Sequence, residues 1–377
     1  MKMTMSAVSG GLYTKLAKPV LFRIAPDSVH EHLLRTGSRL QTHNSAIRLL
    51  HGVWSYDNPS RLTQTVCGID FANPVGLSAG FDKNFELVPT IKAIGFGFME
   101  GGSVTYHECS GNPRPWFHRL PKSKSLVVYA GLANQGVERI IKRLKTYSPG
   151  ISNGFPLNIS VAKTNSPEAC TESDAIADYV GSIRAIQTAQ VGDMITLNIS
   201  CPNTYGGEPF TTPDKLERLL ATVDNCDLAP PVFIKMPCHL PWKEFDRLLD
   251  VASRHTIAGV TIGNLAKDRG QLKLMDPLPD TVKGNLSGQP TWELSNKLIK
   301  LTYLKYGQRF TIIGVGGIFS AEDAYIKIRL GASLVELITG LIFAGPQLIG
   351  QINQGLARLL ARDGFANVSE AIGVDAT

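Results

Sequence analysis

Four polar residues stand at the ends of short apolar runs, where packing alone does not explain them. Asn158, Asn198, Lys235 and Asn264 each lie at the end of such a run or just beyond it. An amide or ammonium group that is buried without a partner costs several kcal/mol. We therefore expect the four groups to face one ligand, a flat polar heterocycle, with Lys235 beside a ring that becomes anionic. The alternative is an ion pair between Lys235 and Glu100 or another carboxylate inside the protein.

A cysteine lies in a polar loop close to one of these residues. Cys201 follows Asn198 and is surrounded by Ser200, Pro202 and Asn203. A free cysteine is most often a small buried hydrophobic residue, which is our interpretation of the other five cysteines. In this loop, a thiol with a lowered pKa could abstract a proton from carbon. The chain has no C-x-x-C pair, so we expect free thiols and a reducing compartment.

Glycine-rich segments follow the last two apolar runs. Residues 314–318 contain Gly316 and Gly317, and Thr339 is followed by Gly340. Glycine lets backbone N–H groups approach a phosphate closely, and a following helix favours the negative charge. Ser287 and Gly288 are expected to close the same site from an earlier loop. The pattern predicts a ligand with a phosphate group, although turns also need glycine for conformational reasons.

The elements that must position these residues alternate along the chain from about residue 72 to residue 345. Eight apolar runs are predicted as strands: 74–77, 96–100, 156–159, 194–198, 232–235, 258–262, 310–315 and 334–338. Each is followed by a segment with helical spacing: 84–94, 134–147, 173–190, 213–226, 242–255, 291–306, 320–330 and 346–360. Eight consecutive βα units predict an α/β protein with a (β/α)8 TIM barrel, whose active site lies at the C-terminal strand ends. A doubly wound sheet is the alternative, but no G-x-G-x-x-G turn follows the first strand.

Two predicted connections are long for barrel loops. Residues 103–133 separate the second strand from its helix, and residues 265–289 follow the sixth strand. Both leave C-terminal strand ends, so we expect them to be lids or insertions with a functional role.

The first sixth of the chain differs from the rest in charge and in pattern. Residues 1–61 carry eight basic and three acidic side chains. Their net charge of +5 is most of the net charge of +6 of the whole chain. Leu12, Leu16 and Val20 have helical spacing, and a second apolar face runs from Val29 to Leu50. We predict two amphipathic helices, with Asp27 or Ser28 as N-cap of the second. They either pack on the barrel or dip into an anionic lipid interface.

The composition excludes several classes of protein. With 377 residues, 43% hydrophobic and 19% charged, the chain is typical of a globular protein and not of a disordered or coiled-coil one. It contains no apolar stretch of 18 residues, and its first residues lack the apolar run of a secretory signal. No nucleic-acid-binding motif occurs. These features predict a cytoplasmic protein that is peripherally attached to the inner face of the cell membrane.

Taken together, the motifs resemble those of the dihydroorotate dehydrogenases, which are FMN enzymes of pyrimidine synthesis with a (β/α)8 fold. The matching stretches span nearly the whole chain: 73–83, 95–105, 111–115 with Arg119, 198–204, 286–288, 314–318, 331–335 and 345–346. Residues 21–30 resemble the N-terminal helices of the membrane-associated branch, which reduces a quinone. The resemblance implies an N-terminal helical segment, 1–55, that gives quinone and membrane access, and an FMN-binding barrel, 56–377. It implies a monomer as the simplest state.

The resemblance also implies roles for individual residues. Cys201 takes the place of the catalytic base, and Lys83 is implied both in catalysis and in substrate binding, together with Asn198, Asn203 and Asn264. The residues implied to contact FMN are Ala79, Gly80, Ser103, Asn158, Asn198, Lys235, Ser287, Gly288, Gly316, Gly317, Thr339 and Gly340. The implied reaction oxidises dihydroorotate to orotate and passes the electrons to a quinone.

Some positions depart from the family pattern. The quinone-reducing branch usually has serine in place of Cys201, and the family usually has asparagine at Val128 and Ala133 and a hydroxyl residue at Leu265. Ile338 and Val161 also differ from the usual tyrosine and lysine. The thinner polar shell leaves a second hypothesis, a paralogue that desaturates a less polar small molecule, for example in specialised metabolism. A catalytically idle flavin-binding barrel is a third hypothesis, but it would have no use for Cys201 and Lys83.

Overall fold

Short, buried strands form the centre of the molecule. The computed structural model describes residues 2–147 and 154–377, and its strands in chain order are β1 (Gln64–Val66), β2 (Ile69–Phe71), β3 (Val75–Leu77), β4 (Phe98–Val104), β5 (Phe117–Leu120), β6 (Ser125–Val128), β7 (Leu157–Val161), β8 (Met194–Asn198), β9 (Val232–Met236), β10 (Gly259–Ile262), β11 (Asn285–Leu286), β12 (Thr311–Val315) and β13 (Leu334–Leu337). Eight of them close into a parallel barrel in the order β3-β4-β7-β8-β9-β10-β12-β13. The predicted TIM barrel is confirmed, with every barrel strand within four residues of its predicted ends.

The helices lie outside the barrel and at the N-terminus. They are α1 (Lys2–Leu12), α2 (Lys18–Leu21), α3 (Pro26–Leu40), α4 (Asn44–Trp54), α5 (Pro59–Leu62), α6 (Val88–Ala93), α7 (Val137–Tyr147), α8 (Glu172–Ala189), α9 (Pro213–Asp224), α10 (Trp242–Ser253), α11 (Trp292–Tyr306), α12 (Ala321–Arg329), α13 (Thr339–Ala344) and α14 (Leu348–Arg362). A π-helical turn, Tyr13–Ala17, joins α1 to α2. Short 3-10 turns occur at Pro167–Ala169, Arg269–Gln271, Gln289–Thr291 and Val368–Ala371. Helix α13 was not predicted from the sequence; it lies between the predicted eighth strand, 334–338, and the predicted helix 346–360.

The barrel strands are buried on both faces, which is why they read as continuous apolar runs rather than as alternating patterns. In β7, β8 and β9 every residue is buried. The interior near the N-terminal strand ends is closed by apolar side chains, including Phe71, Phe98 and Phe233. Gly76 makes room for one of these rings, because a Cβ there would lie 2.3 Å from Phe98. The hairpin of β1 and β2, which the sequence analysis missed, supplies Phe71 to this plug.

The two long connections pair with each other above the barrel. Strands β5 and β6 form an antiparallel hairpin, and β11 from the later connection adds to β6, with Asn285 opposite Val128 and Leu286 opposite Val127. The predicted insertions therefore contain a three-stranded sheet of their own. These strands are short and carry no clear alternation, so periodicity did not reveal them.

The N-terminal region corrects two predictions. The second predicted helix is in fact two, α3 and α4, which are separated by a turn at residues 41–43. Neither Asp27 nor Ser28 is the N-cap of α3, because the helix begins at Pro26 with Ala25 in the cap position. Proline suits the first helical position, since its φ is preset and its missing N–H is not needed. Asp27 instead accepts hydrogen bonds from the backbone N–H groups of Trp116 (2.9 Å) and Phe117 (3.3 Å) and so ties α3 to β5.

The N-terminal helices leave one apolar face uncovered. Val8, Leu12, Leu16 and Val20 follow one another at four-residue spacing and are 54–64% exposed. At the other end of the region, α4 packs closely on the barrel helices, since a Cβ on Gly350 would lie 1.9 Å from the carbonyl oxygen of Trp54. In the described part of the chain, no helix has the length and apolar character needed to cross a membrane.

Candidate active site

An enclosed site lies at the C-terminal ends of the barrel strands, as the fold predicts. A cavity of about 200 Å³ extends from the strand ends to α3, and an adjoining cavity of about 100 Å³ reaches the glycine-rich segments. The two share Ala79, Lys235, Asn264, Leu265, Ser287, Ile338 and Thr339 in their linings. The predicted site residues that line one or both are Ala79, Gly80, Lys83, Ser103, Asn198, Cys201, Asn203, Lys235, Asn264, Ser287, Gly288, Gly316, Gly317, Thr339 and Gly340.

Asn158 is the predicted site residue that lines neither cavity. It is fully buried in β7, where it pairs with Glu100 of β4. Its side-chain N–H donates to the Thr196 hydroxyl (2.8 Å), and its side-chain oxygen accepts from the same hydroxyl (3.1 Å). Its contact with a cofactor stays a prediction. The observed hydrogen bonds stabilise the pairing of β7 with β8.

Lys235 sits between the barrel interior and the cavity. Its ammonium donates to the Ser78 hydroxyl (3.1 Å) and to Glu100 Oε1 (3.2 Å), and only about 5% of its side chain is exposed. The ion pair that the sequence left as an alternative is therefore present, and the same residue also borders the cavity. Burial and the negative charge of Glu100 raise the pKa of the neighbouring Glu336 well above its ordinary value. The shift favours the protonated form of Glu336.

A chain of amide and hydroxyl groups follows the ends of β4, β8 and β10. Strand pairing places Asn198 directly beside Lys235. The Asn198 amide donates to Ser103 Oγ (2.8 Å), and the Asn264 amide donates to Ser200 Oγ (2.7 Å) and to the Ser200 carbonyl (2.9 Å). These bonds hold the amide planes in defined orientations over the barrel mouth.

The loop that carries Cys201 is held by asparagines. The Asn203 side chain donates to the carbonyl of Val128 (2.9 Å) and accepts from Asn285 (2.8 Å), while Asn112 donates to the Asn203 carbonyl (2.9 Å). Asn112 and Asn285 were not predicted as site residues. They lie in the two long connections, Asn285 on β11 and Asn112 before β5, so these connections fix the loop.

The pKa of the Cys201 thiol is raised and not lowered in this structure. Burial raises its pKa to about 11, although the Asn203 backbone N–H and the charges of Lys163 and Lys267 act in the opposite direction. A lowered pKa, the condition set for proton abstraction by this thiol, is therefore not met in the resting site, because the loop encloses the thiol. The thiol is therefore protonated at neutral pH in the resting site.

Lys83 is enclosed by aromatic rings. Its Nζ lies 5.1 Å from the ring centroid of Trp116 and 5.5 Å from that of Phe117. Burial lowers its pKa to about 8, and the charge of Arg114 acts in the same direction while Asp27 opposes it. An ammonium in such a setting gains most from an anionic ligand group, which would replace the lost hydration.

The glycine-rich segments form a cradle whose backbone is open to the cavity. A Cβ on Gly316 would lie 2.6 Å from Thr291 Oγ1, one on Gly317 would lie 2.8 Å from Trp292 Cβ, and one on Gly340 would lie 2.1 Å from the Ile318 carbonyl oxygen. Gly316 and Gly317 also have positive φ angles. Side chains at these positions would collide with backbone and neighbouring residues, so the segments approach one another as bare backbone. This geometry fits a phosphate group.

The opposite end of the cavity is apolar and includes part of the N-terminal region. Val29, His30 and Leu33 of α3 line it together with Arg119. His30 lies edge-on to the rings of Phe81 (5.3 Å) and Phe117 (5.5 Å). Burial lowers the pKa of His30 to about 3, so its ring is neutral. Arg119 and the segment that contains His30 belong to the stretches that resemble the family, but neither residue was predicted to lie in the site.

The fold and the site define the class of the protein, an α/β-barrel enzyme with a glycine-rich cradle and a half-buried thiol at the C-terminal barrel face. The family model described as dihydroorotate dehydrogenase matches residues 61–360, and the chain belongs to this flavin-dependent family of oxidoreductases. It is 34% identical to "Dihydroorotate dehydrogenase (quinone)" of Synechocystis sp., covering 93% of each chain. The protein of that name in Anaeromyxobacter dehalogenans is 36% identical, over 95% of this chain and 96% of the relative. Among solved structures, ligand-free DHODH from Eimeria tenella has a TM-score of 0.81 and 26% identity, covering 93% of this chain and 99% of that one.

Proposed function

We propose that this protein oxidises dihydroorotate to orotate, a step of pyrimidine biosynthesis, and passes the electrons to a quinone. The observation that carries the proposal is one cavity that has Cys201 and Lys83 above the barrel strands and extends without interruption to the apolar face of α3. Full-length relatives named dihydroorotate dehydrogenase (quinone) support the same reaction and acceptor.

The cofactor is FMN. Gly316, Gly317 and Gly340 would hold its phosphate, because they line the smaller cavity and have no side chain that would keep the phosphate away from the backbone N–H groups. Lys235 and Asn198 would lie beside the flavin ring at the barrel mouth. When bound, FMN supplies the two-electron acceptor for the hydride that leaves the substrate.

The side chains around the thiol orient the substrate and move its proton. Lys83 binds the carboxylate of dihydroorotate by charge, and Asn203 and Asn264 bind the amide groups of its ring. Cys201, as thiolate, takes the proton from one carbon while the neighbouring carbon loses the hydride. The enclosing loop keeps water away from the reacting carbons, which favours both transfers.

Two positions make the substrate pocket less polar than the family pattern. Val128 and Leu265 line the cavity, whereas Ala133 does not, so only two of the three apolar replacements face the substrate. Each missing hydrogen-bond partner of a buried polar group costs about 1–3 kcal/mol. The named relatives give no support to a different substrate. We therefore expect dihydroorotate to bind more weakly than the usual polar shell allows.

The quinone enters at the α3 end of the cavity. The lining there is apolar apart from the neutral His30 and from Arg119, whose Nη1 donates to the Ile24 carbonyl (2.7 Å). An apolar passage with a few polar groups suits a ring with two carbonyl oxygens and an apolar tail.

The segment 1–55 is proposed to attach the protein to a membrane surface. The exposed apolar face of Val8, Leu12, Leu16 and Val20 lies in a region with an excess of basic side chains. An amphipathic helix of this kind binds anionic lipid through apolar burial and charge. A quinone dissolved in that lipid would have a short path to the α3 end of the cavity.

Anaerobic mixing of the purified protein with dihydroorotate tests the reaction. The yellow flavin should bleach, and a short-chain ubiquinone or menaquinone analogue should restore the colour. A protein that carries FMN but is not bleached by dihydroorotate, and that does not rescue a pyrimidine-auxotrophic strain, would contradict the proposed substrate. A protein that takes up no FMN would contradict the proposed chemistry altogether.

Vesicle binding tests the membrane surface. The double variant Leu12→Glu, Leu16→Glu should bind phosphatidylglycerol vesicles at least about tenfold more weakly, because two apolar contacts are lost. Leu304→Glu is the matched control, since Leu304 is 53% exposed but lies on α11. Equal binding by wild type and the double variant would exclude this face as the lipid contact.

A further inference from the structure

A fully buried lysine lies behind the glycine cradle and has no part in the chemistry described above. Lys327 of α12 has no exposed surface. Its ammonium donates to Ser295 Oγ (2.5 Å) and to Asn296 Oδ1 (2.8 Å), and it lies 4.7 Å from the ring centroid of Trp292. Both hydrogen-bond partners are neutral, so the positive charge is not compensated by them.

The residues that contact Lys327 are also the residues that support the cradle. A Cβ on Gly316 would lie 3.3 Å from Ser295 Oγ, and one on Gly317 would lie 2.8 Å from Trp292 Cβ. The Lys327 stem packs on β12, since a Cβ on Gly314 of that strand would lie 3.4 Å from Lys327 Cδ. The ammonium is therefore separated from the face of the cradle by one layer of side chain and glycine backbone.

A buried ammonium among neutral groups is unfavourable unless an anion lies nearby. Burial lowers the pKa of Lys327 to about 7, and the negative charge of Asp323 on the same helix acts in the opposite direction. A phosphate monoester carries a charge of about −1.5 to −2 at neutral pH. An anion of this kind on the open side of Gly316 and Gly317 would compensate the ammonium at short range through a medium of low dielectric constant.

We propose that Lys327 is a positioning residue for the cofactor phosphate, which it stabilises from behind the cradle through Ser295. The inference rests on the proposed FMN site and deepens it. The cradle then discriminates between phosphorylated and unphosphorylated flavin by a charge that never touches the ligand. Riboflavin, which lacks the phosphate, should gain nothing from Lys327.

The test compares the affinities of flavin-free protein for FMN and for riboflavin, measured by quenching of flavin fluorescence. Lys327→Met keeps the length and apolar stem of the side chain and should weaken FMN binding at least about tenfold while leaving riboflavin binding unchanged. Lys297→Met is the matched control, because it removes one positive charge from the exposed side of α11 and should change neither affinity. Ser295→Ala should reduce the preference for FMN in the same direction but by less.

The outcomes separate the inference from the proposed function. Equal losses for FMN and riboflavin in Lys327→Met would assign the lysine a structural role and overturn the inference, and so would an unchanged FMN affinity. If Lys327→Met fails to fold, an unaltered FMN preference in Ser295→Ala overturns it instead. A wild-type protein that binds neither flavin contradicts the proposed function, and the inference fails with it.

Discussion

The glycine cradle is built from backbone, whereas the substrate end of the cavity, around Cys201, is built from side chains. The cradle end consists of glycine backbone that has no room for a Cβ at Gly316, Gly317 or Gly340. The substrate end consists of side chains, such as Val128 on the three-stranded sheet and Cys201 on the loop that this sheet holds in place. Backbone donors cannot be exchanged by substitution, whereas side chains can. Substitutions can therefore change the substrate contacts of such a site without changing its contacts with the cofactor.

The departures from the family pattern follow this division in part. The glycines of the cradle match the pattern. The departures at Cys201 and Val128 line only the larger cavity, whereas those at Leu265 and Ile338 line both cavities. A change in the cradle would collide with packed backbone, which resists displacement. A change at the substrate end alters hydrogen bonding and pKa but leaves the barrel intact.

The largest expected effect is at the substrate end and concerns rate alone. Cys201→Ala should slow flavin reduction by dihydroorotate ~100-fold or more, the usual weight of a positioned general base, while FMN stays bound. Stopped-flow absorbance at saturating dihydroorotate measures the rate. Cys226→Ala, a half-buried cysteine just after α9, is the control. An unchanged rate would remove Cys201 from the mechanism.

At the cradle end we expect loss of the cofactor rather than loss of rate. In Gly340→Ala the new Cβ would lie 2.1 Å from the Ile318 carbonyl oxygen, so backbone must shift. Overpacking of this kind costs about 1–3 kcal/mol, which corresponds to FMN binding up to about 100-fold weaker. Gly52→Ala is the control, because nothing lies within 4 Å of its new Cβ. Full FMN occupancy in Gly340→Ala would contradict the distinction drawn between the two ends.

The pH dependence sharpens the assignment of the substrate end. Cys201 acts as thiolate, and its pKa of about 11 means that the active form becomes more abundant as pH rises. The rate of flavin reduction at saturating substrate should therefore increase about tenfold per pH unit between about pH 6 and pH 9. Substrate affinity should fall above about pH 8, where Lys83 loses its proton. A rate that does not change with pH, or the same slope in Cys201→Ala, would contradict this role.

The smallest expected effect is a gain. Val128→Asn should tighten dihydroorotate binding about two- to tenfold, because one added hydrogen bond contributes about 0.5–1.5 kcal/mol. Ala133→Asn makes a similar change at a position that does not line the cavity and should produce no gain. Titration of flavin bleaching measures both affinities, and thermal unfolding shows whether the variants remain folded. Equal gains in affinity at both positions would mean that the substrate also contacts position 133, outside the cavity that Val128 lines.

Much of the barrel could be predicted from the sequence, because local patterns determine it. The eight strands and the helices that follow them were predicted within four residues of their observed ends, since apolar runs and amphipathic segments alternate clearly. The break between α3 and α4 was missed because neither glycine nor proline marks it. The sheet of β5, β6 and β11 was missed because its strands are short and lack clear alternation, and because β11 lies about 160 residues after β6.

The types of the site residues and their places at strand ends were determined by the sequence alone, since strand order in a parallel barrel brings C-terminal ends to one face. Only the tertiary structure decided which of them line the cavity, as the positions of Asn158 and Ala133 illustrate. It also decided that Lys235 pairs with Glu100, that the Cys201 thiol is held protonated and that Lys327 lies behind the cradle. The physical reason is that these properties depend on contacts between residues far apart in the chain. They are the burial of each group, its distance from other charges and its hydrogen-bond partners, and a local sequence pattern predicts none of them.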